Sequence, residues 1–153
     1  MSIAALAASY EKATNDFLRI VESLEEGDLD KNDGEGWTPR QVVHHLADSE
    51  AQSYARLRRL VAEPGSVIQG YDEGKWAENS VLGYEELPIE VSLNVFRAVR
   101  AGSLMILRRL SPEQLKNSGT HTESGEYSIE KWVASYTNHP TDHAQQILKA
   151  LGK

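Results

Sequence analysis

Cysteine is absent from this sequence. Thiol nucleophiles of its own, disulfide cross-links and cysteine-ligated metals are therefore excluded, and nothing points to an oxidising compartment. Basic charge is scarce. Sixteen Lys and Arg stand against 23 Asp and Glu, a net charge of −7, and no basic block exceeds the pairs Arg58-Arg59 and Arg108-Arg109. A nucleic-acid partner, which needs a basic footprint for phosphates, is not expected. Long hydrophobic runs are missing as well: no stretch approaches the roughly 18 apolar residues of a membrane-spanning helix. Met1 to Tyr10 has neither the basic start nor the apolar run of a secretory signal. The expectation is a cytoplasmic protein with no membrane partner. With only two Phe, but 40% apolar and 25% charged residues over 153 positions, residues 1–153 read as one domain able to bury its own core.

Apolar positions recur in steps of three and four. Ile3, Leu6, Tyr10, Ala13, Phe17, Ile20 and Leu24 mark a first amphipathic helix, closed by Gly27. Thr38-Pro39-Arg40-Gln41 has the pattern of a capping box with proline at the first helical position, and opens a second helix running to about Val61. Pro64-Gly65 ends it. Residues 64–86 then hold four glycines with Tyr71, Trp76 and Tyr84, a loop long enough to suggest a function. Leu87-Pro88 opens a third helix with the stripe Ile89, Leu93, Phe96, Val99, Ser103, Ile106 and Leu110, stopped at Pro112. After a polar loop from Lys116 to Tyr127, Ser128 caps a fourth. Its stripe is Ile129, Trp132, Val133, Tyr136, His139, His143, Ile147 and Ala150, and it ends at Gly152. No strand-like alternation and no repeat is visible. The pattern predicts an all-α, up-down-up-down four-helix bundle with long inter-helix loops.

Five histidines are present, at 44, 45, 121, 139 and 143. His139 and His143 lie one helical turn apart on the interior stripe, so both imidazoles can reach one divalent ion. A third donor must come from another helix, and the second supplies His44 and His45. Spacing favours His45 slightly, on the edge formed by Val42, Leu46 and Ser49, without deciding between the two. The run His139-Pro140-Thr141-Asp142-His143 lacks the Glu that follows the first His in zinc proteases, which disfavours a thermolysin-like peptidase.

Gly36-Trp37-Thr38-Pro39-Arg40-Gln41-Val42-Val43-His44-His45-Leu46-Ala47-Asp48-Ser49 resembles the DinB-like superfamily, most closely its YfiT-type branch. Tyr71-Asp72-Glu73-Gly74-Lys75-Trp76-Ala77-Glu78 resembles the inter-helix signature of that branch, and Thr120-His121-Thr122-Glu123-Ser124-Gly125-Glu126 the segment before its last helix. The resemblance implies a four-helix bundle, often a homodimer, with one divalent metal held by His45, His139 and His143. It makes His44 a neighbour of the ligands, with a solvated helix residue as the alternative reading. It also implies a metal-dependent hydrolase, or an enzyme that attaches a low-molecular-weight thiol such as bacillithiol to an electrophile. Two features depart from the family pattern. Pro140 lies inside the ligand helix, where it removes a donor and crowds the carbonyl of Tyr136, so a kink is expected. Asp142, Gln145 and Gln146 stand where the branch is richer in histidine.

Three neutral nitrogens would leave a zinc or nickel ion its full charge and an open position, as in catalytic centres. Such an ion brings bound water to a pKa of about 7 or ionises a thiol outright, and without cysteine the thiol must be a co-substrate. Asp48, Glu50 and Asp142 are the candidate carboxylates for orienting the imidazoles. Tyr71 and Trp76 are candidates for walling an apolar pocket, and His121 reads as polar surface. Thiol transfer, hydrolysis and a non-catalytic, metal-stabilised dimeric ligand-binding bundle are the competing readings.

Overall fold

Side-chain oxygens start three of the four long helices. The chain is described from Met1 to Lys153 by a computed structural model. Ser2 accepts from the Ala5 amide at the start of α1 (Ile3–Glu22), Thr38 from Gln41 at α2 (Pro39–Ala62), and Ser128 from Lys131 at the last helix. At α2 the Gln41 side chain returns to the Thr38 amide, completing the capping box read from the sequence. Beyond α2 come β1 (Val67–Ile68), α3 (Glu73–Glu78), α4 (Glu90–Leu107), β2 (Ser118–His121), β3 (Gly125–Ser128) and α5 (Ile129–Ala150). No helix is long and apolar enough to cross a membrane.

The four long helices form a bundle in which α2 packs on α4 and α5, and α1 packs on α5 and α4. Pairs across the bundle give the directions. Glu22 meets Arg97 and Glu11 meets Arg108, so α1 and α4 are antiparallel. His44 meets Ser92 and Glu50 meets Arg100, so α2 and α4 are parallel. His45 meets His139 and Ser53 meets Trp132, so α2 and α5 are antiparallel. The order is therefore up-down-down-up. The four-helix bundle with long connections agrees with the sequence reading, but the alternating directions do not. The reason is the connection 63–89, which carries the chain back along α2, about 36 Å for its 24 residues. The backbone of Leu87 consequently meets Arg40 and His44 in the first turns of α2.

A small sheet also departs from the expectation of no strands. β1 pairs in parallel with β2 (Val67↔Thr120), and β2 pairs antiparallel with β3 (Gly119↔Tyr127). Strands of two to four residues are too short to show alternation in a sequence. On α4 the buried line is Leu93, Phe96, Arg100, Ser103 and Leu107. Val99 and Ile106, placed on the core stripe from the sequence, are only half-buried, and the helix ends at Leu107, before Leu110.

Apolar packing falls into two clusters. One gathers Tyr10, Leu57, Leu60, Ile68, Leu107 and Trp132 beside the sheet. The other gathers Phe17, Val21, Val42, Leu46, Phe96 and Ile147. Between them lies a layer of fully buried polar residues: Glu50, Ser53, Arg100 and Ser103.

The close seating of the sheet makes a stability prediction. A Cβ at Gly119 would stand 2.3 Å from the carbonyl oxygen of Ser66, whereas one at Gly27 meets nothing within 4 Å. Gly119→Ala should cost about 1–3 kcal/mol, read as a lowered denaturant midpoint, with Gly27→Ala within about 0.5 kcal/mol of the parent. Equal midpoints for the two variants would contradict this packing.

Candidate metal centre

α2 contributes His45 and α5 contributes His139 and His143, and one ring nitrogen from each lies within 4.8 Å of the others. His139 Nε2 is 3.3 Å from His45 Nε2. Neighbouring nitrogens around a tetrahedral ion with bonds of about 2.0–2.1 Å stand about 3.3–3.4 Å apart, so the spacing fits one divalent ion. The second nitrogen of each ring bears on which lone pair is free. His143 Nδ1 lies 2.7 Å from Gln146 Oε1, an acceptor, so Nδ1 carries the proton and Nε2 the lone pair. His139 Nδ1 lies 3.4 Å from Glu50 Oε1. His45 Nδ1 is buried with no partner, leaving that ring tied only through its Nε2 side. Burial, followed by the neighbouring imidazoles, pushes His45 down to about 3. Burial and then His139 push His143 down to about 4. Both are neutral at pH 7, the state that binds metal.

Two walls flank the cluster. Trp37, just before the α2 cap, sets its ring 4.8 Å from that of His45 and lies nearly parallel to His143 at 6.4 Å. The returning chain runs antiparallel along α2: Arg56 donates to the Gln69 carbonyl, and further on Glu73 Oε2 comes within 3.7 Å of His45 Nε2. Tyr71 and Trp76, on either side of Glu73, pack edge to face at 4.7 Å. The Tyr71 hydroxyl is buried without a hydrogen-bond partner, and burial pushes it up to about 12.

The structure brings His45, His139 and His143 together and separates other residues singled out in the sequence. His44 is buried rather than solvated: its Nδ1 lies 2.7 Å from Ser92 Oγ and its Nε2 3.0 Å from the Leu87 carbonyl. Of the three candidate carboxylates, Glu50 alone is in contact with a site imidazole. Asp48 accepts from the Tyr84 hydroxyl, and Asp142 is solvent-exposed and makes no hydrogen bond to a histidine. His121 is part of the hairpin, its Nδ1 accepting from the Glu123 amide. Sequence reasoning missed Trp37, Glu73, Arg100 and Gln146. Gln146 had a signal in its spacing three residues after His143, and Trp37 in its place before the cap. Arg100 had none, because a charge on a helix is ordinarily read as solvated.

The depressed histidines predict an acid limb for the metal-free protein. Their ordinary value is 6.5. As pH falls below it, the unfolded chain takes up protons that the folded site refuses, and stability drops. Urea midpoints of metal-free protein should therefore fall between pH 7 and about 5, above the carboxylate range, and fall less in His45→Asn. An unchanged slope in that variant would contradict the assignment.

Residues 9–147 match the model of the DinB superfamily. A protein of Oceanobacillus iheyensis is 43% identical over 112 residues, covering 73% of this chain and 63% of its own length. One from Bacillus mycoides is 34% identical over 138 residues, covering 90% and 78%. Both carry names that assign them provisionally to metal-dependent hydrolases. The solved structure of YfiT from Bacillus subtilis, described as a probable metal-dependent hydrolase with an unusual four-helix bundle topology, superposes with a TM-score of 0.86. That match has 28% identity and covers 98% of this chain and 87% of YfiT. A second solved four-helix bundle protein, 19% identical with a TM-score of 0.67, shares the fold. Matched along almost its whole length in sequence and architecture, the chain belongs to the DinB superfamily.

Proposed function

We propose that this protein is a metal-dependent enzyme in which His45, His139 and His143 hold one divalent ion, zinc or nickel, and that it transfers a low-molecular-weight thiol of the bacillithiol kind to an electrophilic small molecule. The observation that carries the reading is the convergence of three imidazoles, two of them held neutral by burial, at a spacing that suits one ion. A bound ion would supply the Lewis acidity that makes a thiol or a water nucleophilic at neutral pH. The absence of cysteine makes the thiol a co-substrate. Trp37, Tyr71 and Trp76 offer aromatic faces to an apolar electrophile, and Glu73, exposed beside His45, can accept the thiol proton. In the transfer the sulfur gives up that proton, a carbon–sulfur bond forms, and the bond from carbon to its leaving group breaks.

A second reading replaces the thiol by water and makes the reaction a hydrolysis; the names of the relatives favour it. Homodimerisation and a cytoplasmic setting belong to the same proposal. The exposed Val91, Val95 and Met105 of α4 are apolar surface that a second copy would cover.

Protein purified without a nickel column should contain about one zinc, nickel or similar ion per chain by mass spectrometry, lost in His45→Ala and His139→Ala. Turnover of an electrophile panel should then require an added small thiol. Thiol-independent cleavage of esters or amides would favour the hydrolase. Metal that raises the melting temperature with no turnover in either panel would favour a metal-stabilised ligand-binding bundle.

A further inference from the structure

α5 runs unbroken from Ile129 to Ala150 through Pro140. Proline has no N–H, so the carbonyl four residues earlier, on Tyr136, loses its helical partner. Here that carbonyl accepts from Arg100 Nη1 at 2.6 Å. The same guanidinium donates to Glu50 Oε1 at 3.1 Å, to Thr14 Oγ1 at 2.8 Å and to the Tyr10 carbonyl at 3.0 Å. Glu50 is fully buried, takes Ser53 Oγ on its other oxygen at 3.0 Å, and has its Oε1 3.4 Å from His139 Nδ1.

We infer that Glu50 and Arg100 are positioning residues for the metal centre, with Pro140 freeing the carbonyl that seats Arg100. The inference rests on the metal-binding reading above. Glu50 accepts the Nδ1 proton of His139, which fixes the tautomer and leaves the Nε2 lone pair facing His45. A charged acceptor also makes the imidazole a stronger ligand. Arg100, ion-paired to Glu50 Oε1 at 3.1 Å and anchored on α1 and α5 by its other hydrogen bonds, fixes the carboxylate in place. Pro140, the residue next to His139, thereby links the bend-prone point of α5 to the carboxylate that aims its neighbour.

The test measures zinc affinity by competition with a chromophoric chelator, together with the visible bands of cobalt-loaded protein, in Glu50→Gln and in Glu50→Met/Arg100→Met. The double variant removes both charges at once, so no uncompensated buried charge is left, and circular dichroism before the titration separates positioning from folding. Glu50→Gln keeps an acceptor oxygen and provides a second reading if the double variant does not fold. Zinc binding should weaken about 10–100-fold, more in the double variant, with altered cobalt bands. Asp48→Asn, whose carboxylate serves Tyr84, should match the parent. Parental affinity and spectrum in the folded Glu50 variants would overturn this inference alone. A parent that binds no zinc would overturn the metal reading and this inference with it.

Discussion

Arg100 reaches from α4 to the other three long helices: to Tyr10 and Thr14 on α1, Glu50 on α2 and the Tyr136 carbonyl on α5. A guanidinium that is 1% exposed is expensive to desolvate, and it is held there by the Glu50 carboxylate, a hydroxyl, two carbonyls and the face of Tyr10 at 3.5 Å. The bundle can close only with the helices at heights that satisfy all these groups together. Stability comes mainly from the apolar clusters above and below. What the polar layer adds is register, and register puts His45 opposite His139.

The reversed direction of α4 follows from the same economy of space. By running parallel to α2, α4 can present Arg100 to Glu50 while Ser92 in its first turn and Leu87 just before it hold His44. The chain must then return along α2, and that return brings Glu73 beside His45, with Tyr71 and Trp76 packed on each other on either side of it in sequence. The connection that sets the topology is therefore also one wall of the site. At the far end β1 is fixed to β2, which anchors the start of the return segment.

Much of this was legible in the residues. Caps, stops and steps of three and four located the four long helices, because each helix buries one stripe and solvates the rest. The histidine pair on α5 was legible for the same reason, and resemblance of the sequence blocks to the DinB-like superfamily singled out His45. Three kinds of feature were not legible. Helix direction depends on how far a connection travels, which composition does not encode. The strands are only two to four residues long, and β1 finds its partner β2 more than fifty positions away, Val67 with Thr120. Arg100 looks like any surface arginine until its partners on three other helices are known, and Asp48 and Asp142 looked as suitable as Glu50 until the rotation of each helix was fixed.

The account turns on three imidazoles serving one ion. Anomalous scattering at the metal edge from crystals of zinc-loaded protein tests this most directly. One strong peak per chain, about 2.0–2.1 Å from a ring nitrogen of each of His45, His139 and His143, is the expected result. A peak bound elsewhere, or none at this cluster after loading, would contradict it.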